Sequence, residues 1–406
     1  MIAVAIFLFA LALSLYVIAG YPLILTKWKG FAPPVRKEAD FCAPVTVVLA
    51  VYNGAQFLRR KLDNILALNY PPGLLDVVLV SDGSTDATNE IARSFAHRGV
   101  RLFAVPHAGK AASLNEAISH ASGDILLFVD VRQILDRDAL RHLVANFADP
   151  SVGAVTGELR FQHSQSVGEA SDIDVYWRYE LWARQQQSQI DSIFNTTGCI
   201  YAMRRSLAKP IPPDTLCDDA MIPLQGFLAG YRVIFDPEAV AVDYGQIAGG
   251  EFRRKLRTLA GLWQVWLRLP VLFSRNNRMR FHFLPHKFGR LLLPWLLLIG
   301  LAATLLMPTG GFRSSVLTLA SVTVFLGLFD VLLPRTFLLR KVSSPVRSFM
   351  VLNLASLLSV LVFMVPPEVL WRPTRIPAPG SPVLEPHPRS ESLGNVLKPK
   401  SPHIEP

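Results

Sequence analysis

The chain has 406 residues, enough for one large domain or two ordinary ones, and its formal net charge is +10. Hydrophobic residues make up 51% of it, and its mean hydropathy of +0.32 is high for a purely soluble protein. A basic balance indicates nucleic acid, anionic lipid or a phosphorylated substrate as partner. Because the basic residues concentrate beside apolar segments, we expect membrane lipids and no nucleic acid. The three cysteines are widely spaced without a CxxC pair, which indicates neither a zinc site nor a disulfide framework.

The first apolar segment, residues 1–26, contains no charged residue and is long enough to cross a hydrocarbon core of about 30 Å as a helix. A cleaved signal peptide is the alternative, and it would show a basic start, a shorter apolar run and a small-residue cleavage site. None of these is clear, so the sequence favours a retained transmembrane anchor. The basic residues of the proline-containing linker 27–44 place that end of the anchor in the cytoplasm by the positive-inside rule.

Residues 45–250 alternate short β-rich runs with helical patterns. Apolar residues recur at helical spacing within residues 57–68, and residues 87–96 and 110–119 show the same pattern. This order of elements predicts an α/β domain with a mostly parallel sheet covered by helices on both faces. In such sheets, ligands bind at the carboxyl ends of the strands.

Residues 251–290 form a basic region. Ten basic residues and no acidic residue fall between Arg253 and Arg290, and Trp263 and Trp266 lie beside them at helical spacing. The pattern predicts an amphipathic helix at the membrane surface, with tryptophans inward and cations toward the headgroups. An ordinary half-buried helix of the catalytic domain is the alternative.

Three more transmembrane helices are predicted within residues 291–367. Their bounds are Leu291–Met307, Val316–Pro334 and Ser348–Pro367. The loop 335–347 between the last two is basic without an acid, so we expect it in the cytoplasm. Asp330, inside one span near its cytoplasmic end, is either functional or snorkels to the interface. The proline-rich tail, residues 368–406, is expected to be disordered.

Two aspartates follow β-like apolar runs. Asp82 lies on a Gly-Ser turn, where a carboxylate can contact a nucleotide or help to hold a metal, although the same residues are good turn and helix-capping chemistry. Asp130 ends the run 125–129, where a metal-bound diphosphate could meet it. A simple strand-ending turn is the alternative for Asp130.

Two further pairs carry charge near the end of this domain. Asp218 and Asp219 are adjacent, so their repulsion raises one pKa and suits a general base, but acids also complement a helix N-terminus. Arg254 and Arg257 lie one helical turn apart and could clamp a diphosphate. A solvated or lipid-facing basic strip explains them equally well.

Taken in order, the motifs resemble those of the family 2 glycosyltransferases, membrane-bound inverting enzymes with a GT-A catalytic fold. The resemblance covers about residues 45–264. It rests on VVLAVYNG (47–54), VSDGSTDAT (80–88), HAGKAASLNEAI (107–118), FVDVRQ (128–133), TTGCIYAMRRSL (196–207), LCDDAM (216–221) and RRKLRT (253–258). It implies a nucleotide-binding, Rossmann-like GT-A domain with transmembrane helices at both ends.

The resemblance also implies roles for individual residues. Asp82 would bind the nucleotide, Asp130 the metal and diphosphate, and Asp219, with Asp218 beside it, would deprotonate the acceptor hydroxyl. The implied donor-binding residues are Ala50, Tyr52, Asn53, Asp82, Lys110, Asp130, Arg254 and Arg257. The implied acceptor-binding residues are Trp177, Tyr179, Glu180, Gly198 and Tyr201. The aromatic members of this set either stack on a sugar ring or pack near the membrane.

The sequence departs from the family pattern at two places. Arg132 stands where the second acid of Asp-x-Asp is expected, so either its guanidinium points into the site and neutralises the diphosphate, or it turns away. We favour the second arrangement, in which Asp130 alone holds Mg²⁺ or Mn²⁺ with the diphosphate oxygens. Thr258 replaces the tryptophan of Gln-x-x-Arg-Trp, and Arg254 replaces its glutamine, which weakens the case for a polymerase.

The sequence therefore predicts an integral-membrane glycosyltransferase with a cytoplasmic catalytic domain. It would transfer one sugar from a nucleotide-sugar donor to a lipid-linked or saccharide acceptor in surface polysaccharide or glycolipid synthesis. A processive polysaccharide synthase is the alternative among enzymes. A catalytically silent binding subunit with the same fold is the alternative from another class.

Overall fold

The computed structural model describes residues 1–28, 30, 32–161, 170–243, 251–334 and 337–365. The tail predicted to be disordered, residues 368–406, lies outside the described residues, as does Arg335 of the basic loop.

An eight-stranded mixed sheet forms the centre of the α/β domain. Its strands are β1 (Val45–Val51), β2 (Leu75–Asp82), β3 (Val100–Val105), β4 (Ile125–Val129), β5 (Ile134–Leu135), β6 (Val152–Phe161), β7 (Ile200–Arg204) and β8 (Arg232–Asp243). They are arranged in the order β3-β2-β1-β4-β7-β6-β8-β5. The first four are parallel, as predicted. The other half is mixed, because β7 runs antiparallel to both β4 and β6.

Thirteen α-helices surround the sheet or extend from it within the described residues. They are α1 (Ile2–Leu15), α2 (Tyr21–Lys27), α3 (Ala55–Leu66), α4 (Thr88–Ser94), α5 (Lys110–Ser119), α6 (Ala139–Ala145), α7 (Ala170–Ile190), α8 (Asp218–Leu228), α9 (Glu251–Arg268), α10 (Arg280–Phe283), α11 (Gly289–Leu305), α12 (Gly311–Phe329) and α13 (Arg340–Ser359). Helix α5 has the predicted bounds, while α3 begins and ends two residues early. The strands β1 and β4 are apolar and buried almost throughout, as parallel strands covered on both faces require.

Four helical segments are long and apolar enough to cross a membrane. They are Ile2–Lys27, Arg280–Leu305, Gly311–Leu332 and Arg340–Phe363. The second begins at Arg280, well before the predicted start at Leu291, because its polar residues His286 and Lys287 are buried against the catalytic domain instead of facing headgroups. The fourth begins at Arg340, so the basic residues predicted for a loop there lie on a helix.

Helix α9 does not present its tryptophans to lipid. Trp266 is 1% exposed, and its ring contacts those of Phe194 and Phe288. The indole N–H of Trp263 donates to Ser359 Oγ of α13 at 3.1 Å. The alternative prediction, a half-buried helix of the catalytic domain, therefore describes α9 better than an interfacial helix does.

Asp330 is fully buried between the third and fourth spans instead of snorkelling. The Ser343 hydroxyl donates to its Oδ1 at 2.6 Å, and Arg347 Nε lies 3.0 Å from Oδ2. A buried carboxylate is stable only when it is paired in this way. Asp330 therefore joins the last two spans and takes no part in the catalytic cleft.

We expect Asp330→Ala to lower the free energy of unfolding by about 1–3 kcal/mol, because the buried Ser343 and the Arg347 guanidinium lose their acceptor. Thermal unfolding of the purified protein in detergent measures the change. The control is Glu90→Ala, which removes an exposed carboxylate from α4. Equal unfolding temperatures for the two variants would contradict the structural role of Asp330.

Candidate active site

The predicted aspartates meet at one edge of the sheet. Asp82 ends β2, Asp130 directly follows β4, and Asp218 and Asp219 form the first turn of α8. A single ammonium joins two of these positions, since Lys110 Nζ lies 3.0 Å from Asp130 Oδ1 and 3.1 Å from Asp218 Oδ2. Motifs that are far apart in the sequence thus form one charged cluster.

Asp219 is held in place through its backbone carbonyl. The backbone N–H and the hydroxyl of Thr196 both donate to the Asp219 carbonyl, at 2.9 and 2.8 Å. Gly198 lies directly beside it, and a Cβ added there would be 3.4 Å from the Asp219 Cβ. The predicted acceptor residue Gly198 is therefore next to the predicted base, where a larger residue would crowd it.

Burial and the adjacent Asp218 carboxylate raise the pKa of Asp219 to about 6, against the opposing charges of Lys110, Arg184 and Arg257. Desolvation lowers the pKa of Lys110, but the carboxylates of Asp130 and Asp218 outweigh it and the net shift is upward. Near neutral pH the cluster thus contains a carboxylate able to take a proton and a lysine that stays charged.

Asp82 is 3% exposed, and its carboxylate accepts backbone hydrogen bonds from the loop before α5. The N–H of Ala108 donates to Oδ1 at 2.8 Å, and the N–H of Gly109 lies 3.2 and 3.1 Å from the two oxygens. His107 Nδ1 lies 3.0 Å from Oδ2. Asp82 therefore fixes the loop that positions Lys110, whatever it contributes to nucleotide binding.

The predicted donor residues of β1 lie against the Asp82 turn. Asn53 has a positive φ of 48°, and its Oδ1 accepts from the Thr85 N–H at 2.8 Å. The Tyr52 ring is half exposed and stacks on His107 with centroids 4.4 Å apart. Ala50 packs partly buried on the core behind them. The two loops thus form one surface beside Asp82.

Arg132 does not point toward Asp130. Its guanidinium pairs with Asp243, the last residue of β8, which is 2% exposed. Gln133 Nε2 also donates to Asp243 Oδ2, at 3.0 Å. Arg132 is therefore paired with a carboxylate other than Asp130, and the metal predicted at Asp130 stays a prediction.

The residues predicted near the acceptor divide into different surroundings. Tyr201 has no exposed surface, and its ring stacks on Phe128 at 4.4 Å, so only its hydroxyl is close to the carboxylates. Trp177 donates its indole N–H to the Leu159 carbonyl at 3.2 Å. Tyr179 packs beneath Arg290, whose guanidinium carbon lies 4.9 Å from the ring centroid.

Glu180 is 4% exposed and lies at the junction with the second span. Its carboxylate is 3.0 Å from Lys287 Nζ and also pairs with Arg290. Burial raises the pKa of Glu180, but the charges of Lys287, His286 and Arg290 outweigh it and hold that pKa well below the ordinary value. Glu180 is thus an ionised carboxylate that binds α7 to the second apolar segment.

The two arginines predicted to clamp a diphosphate are both exposed on α9. Arg257 is close enough to Asp219 to lower its pKa. Arg254 lies one turn earlier, and its carbonyl accepts the Thr258 hydroxyl at 3.1 Å. Only Arg257 is therefore brought into electrostatic contact with the site.

A cavity of about 110 Å³ opens beside Asp219. It lies between α8, α9 and the beginning of the second span. Its lining includes Asp219, Thr258, Leu262, His286, Lys287 and Arg290. The second apolar segment therefore contributes directly to the surroundings of the predicted base.

Sequence reasoning missed four residues of this site. Asp243 had a signal, because it ends an apolar β-like run just as Asp130 does. Arg184 follows Glu180 by one helical turn and donates to Thr197 Oγ1 at 2.6 Å, but a single helical arginine gives no pattern. Lys287 and Arg290 were assigned to a membrane-surface strip, so their contact with Glu180 was not foreseen.

Residues 46–211 match the family described as Glycosyl transferase family 2. Over 252 residues the chain is 27% identical to a poly-beta-1,6-N-acetyl-D-glucosamine synthase of Staphylococcus aureus, with 60% of each chain covered. A synthase of the same description from Staphylococcus epidermidis is 26% identical over 242 residues, with 58% of each chain covered. The chain thus spans about 60% of the length of the curated relatives it matches.

A solved structure is also similar. It is a mannosyltransferase from Pyrobaculum calidifontis in complex with GDP-Man and Mn²⁺, 25% identical, with a TM-score of 0.65. The match covers 87% of this chain and 99% of that one. Residues 45–250 make up a smaller share of the chain than the 87% that the match covers. The similarity therefore extends into the apolar helices.

The mixed α/β sheet and the match to the mannosyltransferase structure show that this chain has a GT-A fold. The match over residues 46–211 and the similar glycosyltransferases agree with the resemblance found in the sequence.

Proposed function

We propose that the chain is a membrane-bound inverting glycosyltransferase. It moves one sugar from a nucleotide-sugar donor to a lipid-linked acceptor at the cytoplasmic face, in surface polysaccharide or glycolipid synthesis. The observation that carries the proposal is the position of Asp219: a carboxylate with a pKa of about 6, next to the Lys110 cluster and open to a cavity at the membrane helix.

The donor lies along the sheet edge in this proposal. Tyr52, Asn53 and Asp82 form the surface for the nucleotide, and the half-exposed Tyr52–His107 stack offers an aromatic face for the base. Lys110 lies between this surface and Asp219, where its ammonium offsets the charge of the leaving diphosphate.

The transfer itself needs a base and an in-line approach. Asp219 takes the proton of the acceptor hydroxyl as its oxygen attacks the anomeric carbon from the side opposite the diphosphate, which inverts the configuration. The bond from carbon to diphosphate breaks as the new glycosidic bond forms. Thr196 holds the backbone of Asp219 in place for this step.

The residues beside Asp130 fit a divalent cation that is shared with the substrate. About a third of the Asp130 side chain is exposed, and only one of its oxygens faces Lys110. Among the described residues no cluster of three metal-binding side chains exists, which suits Mg²⁺ or Mn²⁺ held by one carboxylate, phosphate oxygens and water. When bound, the ion would neutralise diphosphate charge. The similar mannosyltransferase structure contains Mn²⁺, which supports the proposal.

The membrane location rests on the four apolar segments, and the orientation rests on charge. Basic residues follow the first span and recur at Arg340, Lys341 and Arg347, which supports a cytoplasmic position for these ends and for the catalytic domain. A reporter that functions only after export, fused after Pro270, should be inactive.

The similarity to polysaccharide synthases supports a second candidate, a processive synthase. Thr258 and the four spans favour single transfer, because a long polymer needs a tryptophan-like contact and a channel. Product length decides between the two.

A panel of nucleotide sugars incubated with the protein in native membranes tests the proposal itself, since release of nucleoside diphosphate is required. Nucleotide binding without turnover of any donor would indicate a silent binding subunit.

We expect Asp219→Asn to reduce transfer by about 10²- to 10⁴-fold, with donor binding retained, because the general base is lost. In the wild type, kcat/KM should fall as the pH drops through about 6, since protonated Asp219 cannot accept the acceptor's proton. Asp218→Asn should move this inflection to lower pH, because the neighbouring negative charge is removed.

The matched control is Asp214→Asn, an exposed carboxylate shortly before the pair. It should leave both the rate and the pH profile unchanged. Wild-type turnover by Asp219→Asn would show that the base is elsewhere, with Asp218 the first candidate.

We expect a chelator to abolish transfer and added Mg²⁺ or Mn²⁺ to restore it, because Arg132 is occupied by Asp243 and cannot compensate the diphosphate. Donor turnover with and without chelator measures this. Full activity in excess chelator would instead show that fixed cations such as Lys110 carry the charge.

A further inference from the structure

The cavity beside Asp219 is distinct from the surface assigned to the donor. Neither Asp82, Tyr52, Lys110 nor Asp130 lines it. Two of its walls come from the second span, which supplies Lys287 and Arg290, and from α9, which supplies Leu262. A ligand in this cavity would therefore approach Asp219 from the membrane-helix side.

We propose that this cavity binds a phosphate ester carried by a membrane lipid, and that this group anchors the acceptor with its hydroxyl at Asp219. The inference rests on the proposed function and adds the charge of the acceptor and the residues that recognise it.

Charge supports an anionic ligand. Lys287 and Arg290 line the cavity, and Arg184 is close enough to act electrostatically on both Asp219 and Lys287. With Arg257, which also acts on Asp219, there are four basic side chains against the three carboxylates of Glu180, Asp218 and Asp219, which leaves a surplus of one positive charge.

Two of the basic groups are held away from bulk water. Lys287 is 9% exposed and Arg184 is 6% exposed. The Nε of Arg184 has no hydrogen-bond partner among the described residues. Buried basic groups with donors to spare bind phosphate oxygens strongly, because the ion pair is not screened by solvent.

Size and polarity indicate which part of a lipid the cavity takes. About 110 Å³ holds several water molecules, which is room for a phosphate but small for a sugar chain or a whole ligand site. Leu259 and Leu262 supply an apolar wall, and the second span continues from Arg290 into exposed apolar residues such as Leu297 and Leu298. An alkyl phosphate matches these surfaces, with its phosphate in the cavity and its alkyl chain along the exposed apolar residues.

The test measures binding of radiolabelled dodecyl phosphate to the full chain in phosphatidylcholine nanodiscs, with empty nanodiscs as background. We expect one saturable site. Lys287→Met should weaken binding about tenfold, the loss of one charge-assisted hydrogen bond, while Lys287→Arg keeps most of the affinity. Lys209→Met, which removes an exposed lysine, should bind as the wild type does.

A second variant keeps the test independent of the buried ion pairs. Thr258 is exposed and lines the cavity, so Thr258→Trp fills the space while the residues of the Glu180, Lys287 and Arg290 ion pairs stay unmutated. We expect it to abolish dodecyl phosphate binding while the unfolding temperature stays unchanged.

Unchanged dodecyl phosphate binding in both Lys287→Met and Thr258→Trp would overturn the inference. Equal affinity for inorganic phosphate would overturn the assignment to a lipid. Release of nucleoside diphosphate from nucleotide sugars tests the proposed function separately. Release combined with unchanged binding in the variants would refute this inference alone, and no release with any donor would refute the proposed function and the inference with it.

Discussion

The buried carboxylate of Glu180 is the interaction on which the arrangement of this protein depends. It lies on α7 of the catalytic domain and pairs with Lys287 and Arg290 of the second span. Taking these charges out of water is costly, and removing one partner leaves the others uncompensated, so the two parts are held in one geometry. Gln187, two turns further along α7, adds hydrogen bonds to Tyr21 of the anchor at 2.7 Å and to His286 at 3.0 Å.

This junction brings residues of the second apolar segment to the predicted base. Because Glu180 draws Lys287 and Arg290 toward α7, the same residues become walls of the cavity at Asp219. The other side of Asp219 faces Asp218 and, through it, Lys110 and Asp130. In our proposal the donor and the acceptor therefore approach Asp219 from two different surfaces. The donor lies along the sheet edge, and the acceptor lies at the second span.

Much of the donor side could be predicted from the sequence. Asp82 and Asp130 follow apolar runs, and parallel strands place their carboxyl ends at one edge, so their proximity follows from local pattern. Helix α5, which begins at Lys110, was predicted with its observed bounds. The helix-terminal position of Asp218 and Asp219 was one of the two explanations given for that pair, and it does not conflict with a role as base.

The contacts between distant segments could not be predicted. Arg132 and Asp243 are 111 residues apart, and Glu180 and Lys287 are 107 apart, so neither pair leaves a periodic or local signal. The basic residues of 280–290 were expected to face headgroups, because a sequence shows the charge of a helix face and not the buried carboxylate opposite it. The antiparallel pairing of β7 with β4 was missed for a similar reason, since strand direction depends on long-range pairing.

The central claim is that the second span completes the acceptor side of the active site through Glu180. The most direct measurement compares Glu180→Gln with the wild type in two assays: transfer to the acceptor in native membranes, and slow hydrolysis of the donor by water without acceptor. We expect the variant to show a raised KM for acceptor and at least about tenfold slower transfer, the effect of losing one charge-assisted contact, with donor hydrolysis unchanged. Equal transfer by both proteins, or a loss of donor hydrolysis in proportion to transfer, would contradict the account.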